Sequence, residues 1–152
     1  MQFTSSAFKN GERIPPQYTC DGKNMSPPLE IADVPDKAKS LVIIMDDPDV
    51  PPSVREDRMW VHWVVYNIPA TVKNIAENSV PPGVMGKGTG NKLAYQGPCP
   101  PDREHRYFFK LYALDTLLSL KEGATKEQVE EAMKGHILGR IDLMGRYERI
   151  RK

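Results

Sequence analysis

The sequence has few cysteines and no long hydrophobic run, and each shortage excludes a class of protein. Its 152 residues include two cysteines, Cys20 and Cys99, which are too few for a domain held together mainly by disulfides. The longest apolar run, Leu41–Met45, is far shorter than the roughly 20 residues that a membrane-spanning helix needs. We therefore expect a single domain over residues 1–152 with a full hydrophobic core.

An excess of charge and a targeting signal are also missing. The 21 basic and 20 acidic residues leave a net charge of +1, so no long-range field attracts nucleic acid or an acidic membrane. The first five residues have neither a basic stretch nor an apolar core, which indicates no secretory signal. These observations predict a cytoplasmic protein with no nucleic-acid partner and no transmembrane segment. There we expect Cys20 and Cys99 to be reduced thiols, and a bridge becomes possible if the fold brings their loops together.

Proline and glycine, in contrast, are abundant, with 14 and 11 residues. They are concentrated in several separate loops, which is typical of a β-protein with rigid connections. Three segments between these loops are predicted to be strands, namely 41–45, 60–68 and 107–114. The first is apolar on both faces, so we expect it to lie at the centre of a sheet.

The period-two geometry of strands predicts which side chains share a face. In the second strand it places Trp60, His62, Val64 and Tyr66 together. In the third it places Tyr107 on the face that His105 extends at the beginning of the strand.

One helix is predicted near the C-terminus. Thr125 and Gln128 have the spacing of a capping box, and Gly135 is a suitable stop. A closing strand is expected over 141–150. One short helix among many strands, without βαβ alternation, predicts a mostly β, antiparallel sandwich or Greek-key fold.

Polar residues near the strand ends are candidate ligand-binding groups. Asp47 and Asp49 follow the central strand, His62 lies in the next strand, and His105 precedes Tyr107 in the third. Imidazole and phenol groups can donate hydrogen bonds to an anion. Metal binding by the two histidines and a carboxylate is chemically possible, but no close ligand pair such as HExxH is present. We therefore predict neither a metal nor a cofactor.

The usual signatures of catalysis are missing as well. There is no GxSxG motif, and the glycine-rich segment 86–90 departs from the Walker pattern. We expect a binding protein that is not an enzyme. The alternative is a hydrolase or other phosphoester-acting enzyme with Asp47, His62 and His105 as acid and base groups, although no nucleophile is evident beside them.

Four ordered motifs resemble the phosphatidylethanolamine-binding protein family. They are DPDVP at 47–51, WVHWVVYNIP at 60–69, GPCPP at 97–101 and HRY at 105–107. The GPCPP form is similar to the bacterial and archaeal branch, which is often described as Raf-kinase-inhibitor-like. The resemblance covers nearly the whole chain.

This resemblance implies a large antiparallel Greek-key sheet packed on a smaller sheet, a short C-terminal helix and a small pocket for phosphate-like anions. The implied ligand-binding residues are Asp47, Pro51, His62, Gly97, Pro101, His105 and Tyr107, with Asp49 and Trp60 in support. The implied partners are a phosphorylated small molecule, a kinase or protease that the chain would inhibit, and a second copy in a homodimer. Because an ionised carboxylate repels phosphate, we expect Asp47 to orient His62 or His105 and to raise its pKa.

Overall fold

Eight strands and one α-helix form the regular structure of residues 1–150, which is the part of the chain that the computed structural model describes. The strands are β1 (Gln2–Thr4), β2 (Leu29–Ala32), β3 (Ser40–Asp47), β4 (Trp60–Pro69), β5 (Asn74–Ile75), β6 (Val84–Met85), β7 (His105–Leu114) and β8 (Ile137–Tyr147). The helix is α1 (Lys126–Met133), and a 3-10 turn covers Pro16–Tyr18. Residues 151 and 152, the end of the predicted domain, lie outside the described residues.

The strands form two antiparallel sheets, which confirms the predicted fold class. The large sheet has the order β6-β4-β3-β7-β8 and the small sheet the order β1-β2-β5. As its apolar sequence predicts, β3 lies at the centre of the large sheet, and every one of its residues is buried. Because neighbouring strands are antiparallel, the C-terminal end of β3 lies beside the N-terminal ends of β4 and β7, at one end of the sheet.

Two hydrophobic clusters cover the two faces of the large sheet. One fills the space against the small sheet and includes Trp63 and Phe109. The other lies beneath α1, where Val129 and Met133 pack against Tyr66. No helix within residues 1–150 is long and apolar enough to cross a membrane.

The ends of α1 and β8 follow from local chemistry. The predicted capping box is confirmed, since the Gln128 N–H donates to Thr125 Oγ1 and the Thr125 N–H donates to Gln128 Oε1. Gly135, with a φ of +80°, turns the chain out of the helix. The closing strand follows immediately, and it therefore runs over Ile137–Tyr147 instead of the predicted 141–150.

A β-bulge in β4 changes which of its side chains share a face. Met45 pairs with Trp63 whereas Asp46 pairs with Val61, so His62 is an extra residue in the ladder. Val61 accordingly packs in the cluster beneath α1, whereas Trp63 packs between the sheets. The prediction that Trp60, His62, Val64 and Tyr66 share one face is therefore wrong. His62 lies instead beside Tyr107, with ring centroids 5.3 Å apart.

Candidate anion-binding site

A cavity of about 240 Å³ lies at the end of the large sheet where β3 ends and β4 and β7 begin. Six of the seven predicted ligand-binding residues line it, together with the predicted supporting residue Trp60: Asp47, His62, Gly97, Pro101, His105 and Tyr107. The remaining wall consists of Val50, Val54, Gln96, Cys99 and Pro100. Antiparallel pairing thus brings together residues that are up to 60 positions apart along the chain.

Pro51 is the prediction that the structure corrects. It lines a neighbouring hollow with Pro52 and Arg103 and not the main cavity. The wall position belongs to Val50, whose apolar side chain is buried.

The other predicted supporting residue, Asp49, ties this loop to β7. Its carboxylate accepts hydrogen bonds from the Arg106 guanidinium at 2.8 and 2.9 Å and from the Arg106 N–H at 2.8 Å. The side-chain hydrogen bond to Arg106 is the main reason that the pKa of Asp49 is lowered. Asp49 therefore positions the loop and does not line the cavity.

His105 lies between two carboxylates. Its Nδ1 is 2.6 Å from Asp47 Oδ2, and its Nε2 is 2.7 Å from Asp102 Oδ1. Because carboxylates accept hydrogen bonds, both contacts are satisfied only when the three groups together hold two protons. With that number of protons the cluster has a net charge of −1, wherever the protons reside. The ring is fully buried, so neither of its nitrogens is free to contact a ligand.

The pKa values of the two carboxyl groups in this cluster are shifted in opposite directions. Desolvation raises the pKa of Asp47, although hydrogen bonds from His105 and from the Asp49 N–H oppose the shift. At Asp102, desolvation also acts upward, but hydrogen bonds from His105 and the backbone outweigh it and lower the pKa. The side chain of Asp102 is partly exposed while that of Asp47 is buried. The inner carboxylate is thus the one that holds a proton more readily.

His62 is held in one orientation by the bulged chain. Its Nδ1 lies 2.6 Å from the carbonyl oxygen of Gln96, and because a carbonyl only accepts, Nδ1 must carry the proton. Desolvation lowers the pKa of His62 to about 4. Asp47 was expected to orient either His62 or His105 and to raise its pKa. It contacts His105 and not His62, so for His62 this expectation is wrong, and the buried His62 ring stays neutral at pH 7.

The Tyr107 side chain supplies a hydroxyl group at the cavity. The residue is fully buried, and its hydroxyl makes no hydrogen bond of standard geometry within residues 1–150. Desolvation raises the pKa of Tyr107 well above its usual value, and the charge of the Asp47 carboxylate and its interaction with the hydroxyl raise it further. The phenol therefore stays protonated and retains a proton to donate.

The GPCPP loop is fastened to the N-terminal part of the chain by a disulfide. The fold brings the two loops together, and Cys20 and Cys99 are bonded, with their Cα atoms 5.4 Å apart. The bridge that the sequence left open is therefore present, in place of the two thiols expected under reducing conditions. The pairing depends on the tertiary fold, since the cysteines are 79 positions apart. The Cys20 N–H also donates to the Pro98 carbonyl at 3.1 Å.

Gly97 has a packing role in the same loop. A Cβ atom at this position would lie 2.2 Å from Asn24 Oδ1 and 2.4 Å from the Tyr18 carbonyl oxygen. The Gly97 N–H donates to Asn24 Oδ1, and the Gln96 N–H donates to the His62 carbonyl. Because prolines have no N–H, Cys99 has the one amide between 96 and 101 that makes no hydrogen bond within residues 1–150.

Two polar partners in this site were missed by sequence reasoning. Gln96 fixes the tautomer of His62 and accepts a hydrogen bond from Trp60 Nε1 at 3.3 Å. Asp102 binds the outer nitrogen of His105. The three-residue spacing of Asp102 and His105 could have indicated their contact. Gln96 contacts His62 through its backbone carbonyl, which every residue has, so its residue type gave no signal. Within residues 1–150 no group of three metal-ligating side chains is arranged to hold a metal ion.

Comparisons with known proteins place the chain in one family. The family model for phosphatidylethanolamine-binding protein matches residues 4–148. A UPF0098 protein of Chlamydia trachomatis is 55% identical over 98% of this chain and 99% of its own length, and one of Methanothermobacter thermautotrophicus is 50% identical over the same shares.

Two solved structures extend the similarity to the fold. The crystal structure of a phosphatidylethanolamine-binding protein homologue from C. trachomatis matches with a TM-score of 0.96 and 54% identity, over 98% of this chain and 97% of that one. Escherichia coli YbcL, described as a new member of the mammalian family, matches with a TM-score of 0.87 and 30% identity over 98% of both chains.

Proposed function

The chain belongs to the phosphatidylethanolamine-binding protein family, and on that basis we propose that its cavity binds a small anion, either phosphate or a phosphorylated headgroup, in a regulatory or ligand-sensing role. The observation that carries this proposal is the buried Tyr107 hydroxyl, which lacks a standard hydrogen bond within residues 1–150 although it lies at a cavity. The Asp47 carboxylate acts on this hydroxyl without a hydrogen bond of standard geometry, and a buried donor left in that state costs up to about 1–3 kcal/mol. A ligand oxygen would remove that cost.

The other groups of the wall suit a small ligand. The Cys99 N–H is a second available donor, and the disulfide holds it in place. His105 acts through Asp47 and Asp102, so we assign it a positioning role. Trp60, Val50 and the prolines provide an apolar surround in which polar contacts to a ligand are stronger than in water.

We propose binding without turnover. Of the candidate acid and base groups, His105 has both nitrogens occupied by carboxylates. The nearest thiol, Cys99, is bonded to Cys20 and cannot act as a nucleophile in that state. A screen of phosphoesters should therefore show no product above the uncatalysed rate, and sustained turnover that depends on His62 would favour the enzymatic alternative.

The location and the macromolecular partners stay predictions. The cytoplasmic assignment is weakened by the disulfide, because such bonds are rare in the cytosol outside hyperthermophiles. The kinase or protease partner stays a prediction.

For the homodimer, strand β8 offers an edge. Its end is covered where the Gly11 and Ile14 N–H groups donate to the Met144 and Arg146 carbonyls, whereas within residues 1–150 only β7 pairs with its middle. Pairing two copies antiparallel about Ile141 would place Arg140 opposite Asp142. Light scattering would distinguish a 17.2 kDa species from one of twice that mass.

The anion proposal is tested with Tyr107→Phe, which removes only the hydroxyl. We expect phosphate binding, measured by calorimetry at pH 6, to weaken about 10- to 100-fold, since a hydrogen bond to a charged group contributes about 1.5–3 kcal/mol. Stability should be unchanged or higher, because a buried group without a standard hydrogen bond is lost. The matched control is Tyr112→Phe, a buried tyrosine in the cluster beneath α1.

His62→Ala and His105→Ala complete the series. His62→Ala should weaken binding, whereas His105→Ala should mainly lower the melting temperature, since it leaves two carboxylates without their partner. Absence of phosphate binding to the unmodified protein at millimolar concentration, or unchanged affinity in Tyr107→Phe, would contradict the proposal.

A further inference from the structure

The hydrogen-bonding pattern around His62 bears on which ionic form of a phosphate the cavity accepts. Resting on the proposed function, we infer that the site selects a singly charged phosphate group that still carries a P–OH proton, as in the monoanion of a phosphate monoester. It discriminates against the dianion and against phosphodiesters. His62 is the residue that determines this selectivity.

The first argument is the tautomer of His62. The Gln96 carbonyl, 2.6 Å away, requires the proton on Nδ1, and the bulge in β4 holds the ring in that position. In a neutral ring the second nitrogen, Nε2, is then an acceptor with a lone pair. No residue among 1–150 donates a hydrogen bond to Nε2, and His62 lines the cavity. A ligand there meets an acceptor and must provide a donor. Neutrality of the ring agrees with its burial, which lowers its pKa to about 4.

The second argument is the charge around the cavity. No lysine or arginine is among the residues of 1–150 that line it. The charged groups facing His62 are the His105 cluster, with its net charge of −1, and Asp46 on β3. Asp46 is paired with both Lys110 and Lys126 on the far side of the sheet, so that group carries a net charge of +1 and lies outside the cavity wall. A dianion would therefore enter a site with no compensating cation, at a large cost in desolvation.

These two arguments specify the ligand. Its P–OH donates to His62 Nε2, while its unprotonated oxygens accept from the Tyr107 hydroxyl and the Cys99 N–H. A dianion has no proton to donate, and a diester has none at any pH. The proton that controls affinity thus belongs to the ligand and not to an imidazole.

The experiment is a calorimetric titration of the unmodified protein from pH 5 to pH 8.5 with three ligands: methyl phosphate, methylphosphonate and dimethyl phosphate. Phosphate monoesters lose their second proton near pH 6, so affinity for methyl phosphate should fall about tenfold per pH unit above that point. For methylphosphonate, whose second pKa is higher, the fall should begin at correspondingly higher pH. Dimethyl phosphate should bind weakly throughout.

The possible outcomes separate this inference from the function on which it rests. A fall that starts at the same pH for both titrating ligands would assign the proton to the protein and overturn the inference alone. Equal affinity for dimethyl phosphate and methyl phosphate would do the same. Absence of binding by all three ligands at every pH would overturn the anion-binding function itself, and tight binding of ethanolamine alone would indicate a cation site.

Two substitutions of His62 provide a matched pair. His62→Asn keeps a donor for the Gln96 carbonyl but has no group at the place of Nε2, so affinity for methyl phosphate at pH 5.5 should fall about tenfold or more. His62→Gln places an amide near the Nε2 position that can turn its NH₂ toward a phosphate oxygen. It should bind the dianion at pH 8 better than the unmodified protein does. Thermal melting identifies any variant that has lost its fold. If one has, the inference is decided by the titration of the unmodified protein with the three ligands.

Discussion

Asp46 and Asp47 are adjacent on β3, yet they belong to two different regions of the molecule. Asp46 points beneath α1, where its Oδ2 lies 2.8 Å from Lys110 Nζ and 2.8 Å from Lys126 Nζ. Asp47 points to the opposite face, against His105 and the cavity. Both side chains are buried.

The two aspartates differ in the side chains that they contact and in whether an element of the fold covers them. The Asp46 carboxylate contacts two lysine ammonium groups, and α1 covers the region around it, so this buried charge has its counter-ions in place. The Asp47 carboxylate contacts a buried histidine instead, and the region around it is open to a cavity. We infer that the region beneath α1 serves stability and that the cavity region can respond to protons and ligands.

The largest effect is expected from Asp46→Ala. It leaves the buried Lys126 ammonium and its neighbour Lys110 without their carboxylate, and breaking such a pair costs about 3–5 kcal/mol. The loss would be measured as free energy of unfolding in urea, and phosphate affinity of the folded protein should stay near its original value. Asp57→Ala is the control, because the pair of Asp57 with Arg55 is exposed and the only other bond of its side chain in residues 1–150 is from the Met59 N–H; it should cost no more than about 1 kcal/mol. Comparable losses in the two variants would contradict the division into regions.

A smaller effect should follow from acidification, and it should originate in the cavity region. In the unfolded chain His62 binds a proton near pH 6.5, whereas in the fold its pKa is about 4. The unfolded state therefore binds more protons between these values, so stability falls as the pH decreases through this window, by about 3 kcal/mol in total.

The His62→Gln variant isolates this contribution. Asp47, whose pKa is raised mainly by desolvation, acts in the opposite direction, so the comparison must be between variants and not between pH values alone. His62→Gln should lose less stability than the unmodified protein on going from pH 7 to pH 4.5. His136→Gln, which replaces an exposed histidine paired with Asp115, should retain the full loss. An equal response in His62→Gln and His136→Gln would mean that His62 is not buried in its neutral form.

The smallest effect is expected at the cap of α1. Thr125→Ala removes the side chain that accepts from the Gln128 N–H and should destabilise the protein by about 1 kcal/mol. Phosphate affinity should not change, because α1 covers the face opposite the cavity. Thr125→Ser keeps the hydroxyl and should retain most of the stability. A loss of phosphate affinity in Thr125→Ala would show that the two regions are coupled.

Local patterns predicted much of this fold because they depend on neighbouring residues. The apolar run Leu41–Met45 indicated a central strand, and Thr125 with Gln128 indicated the beginning of the helix; both are confirmed. The face of His62 was predicted wrongly. A bulge depends on pairing between β3 and β4, which strict alternation within one strand does not include.

For the site, the sequence by itself determined which chemical groups are present: two imidazoles, a phenol and carboxylates near strand ends, in motifs typical of one family. Only the tertiary structure decided what each group does. It bonded Cys20 to Cys99 across 79 positions, placed His105 between Asp47 and Asp102, and turned His62 toward the Gln96 carbonyl. The physical reason is that protonation, tautomer and burial depend on atoms within a few ångströms in space, and most of those atoms are distant in the chain.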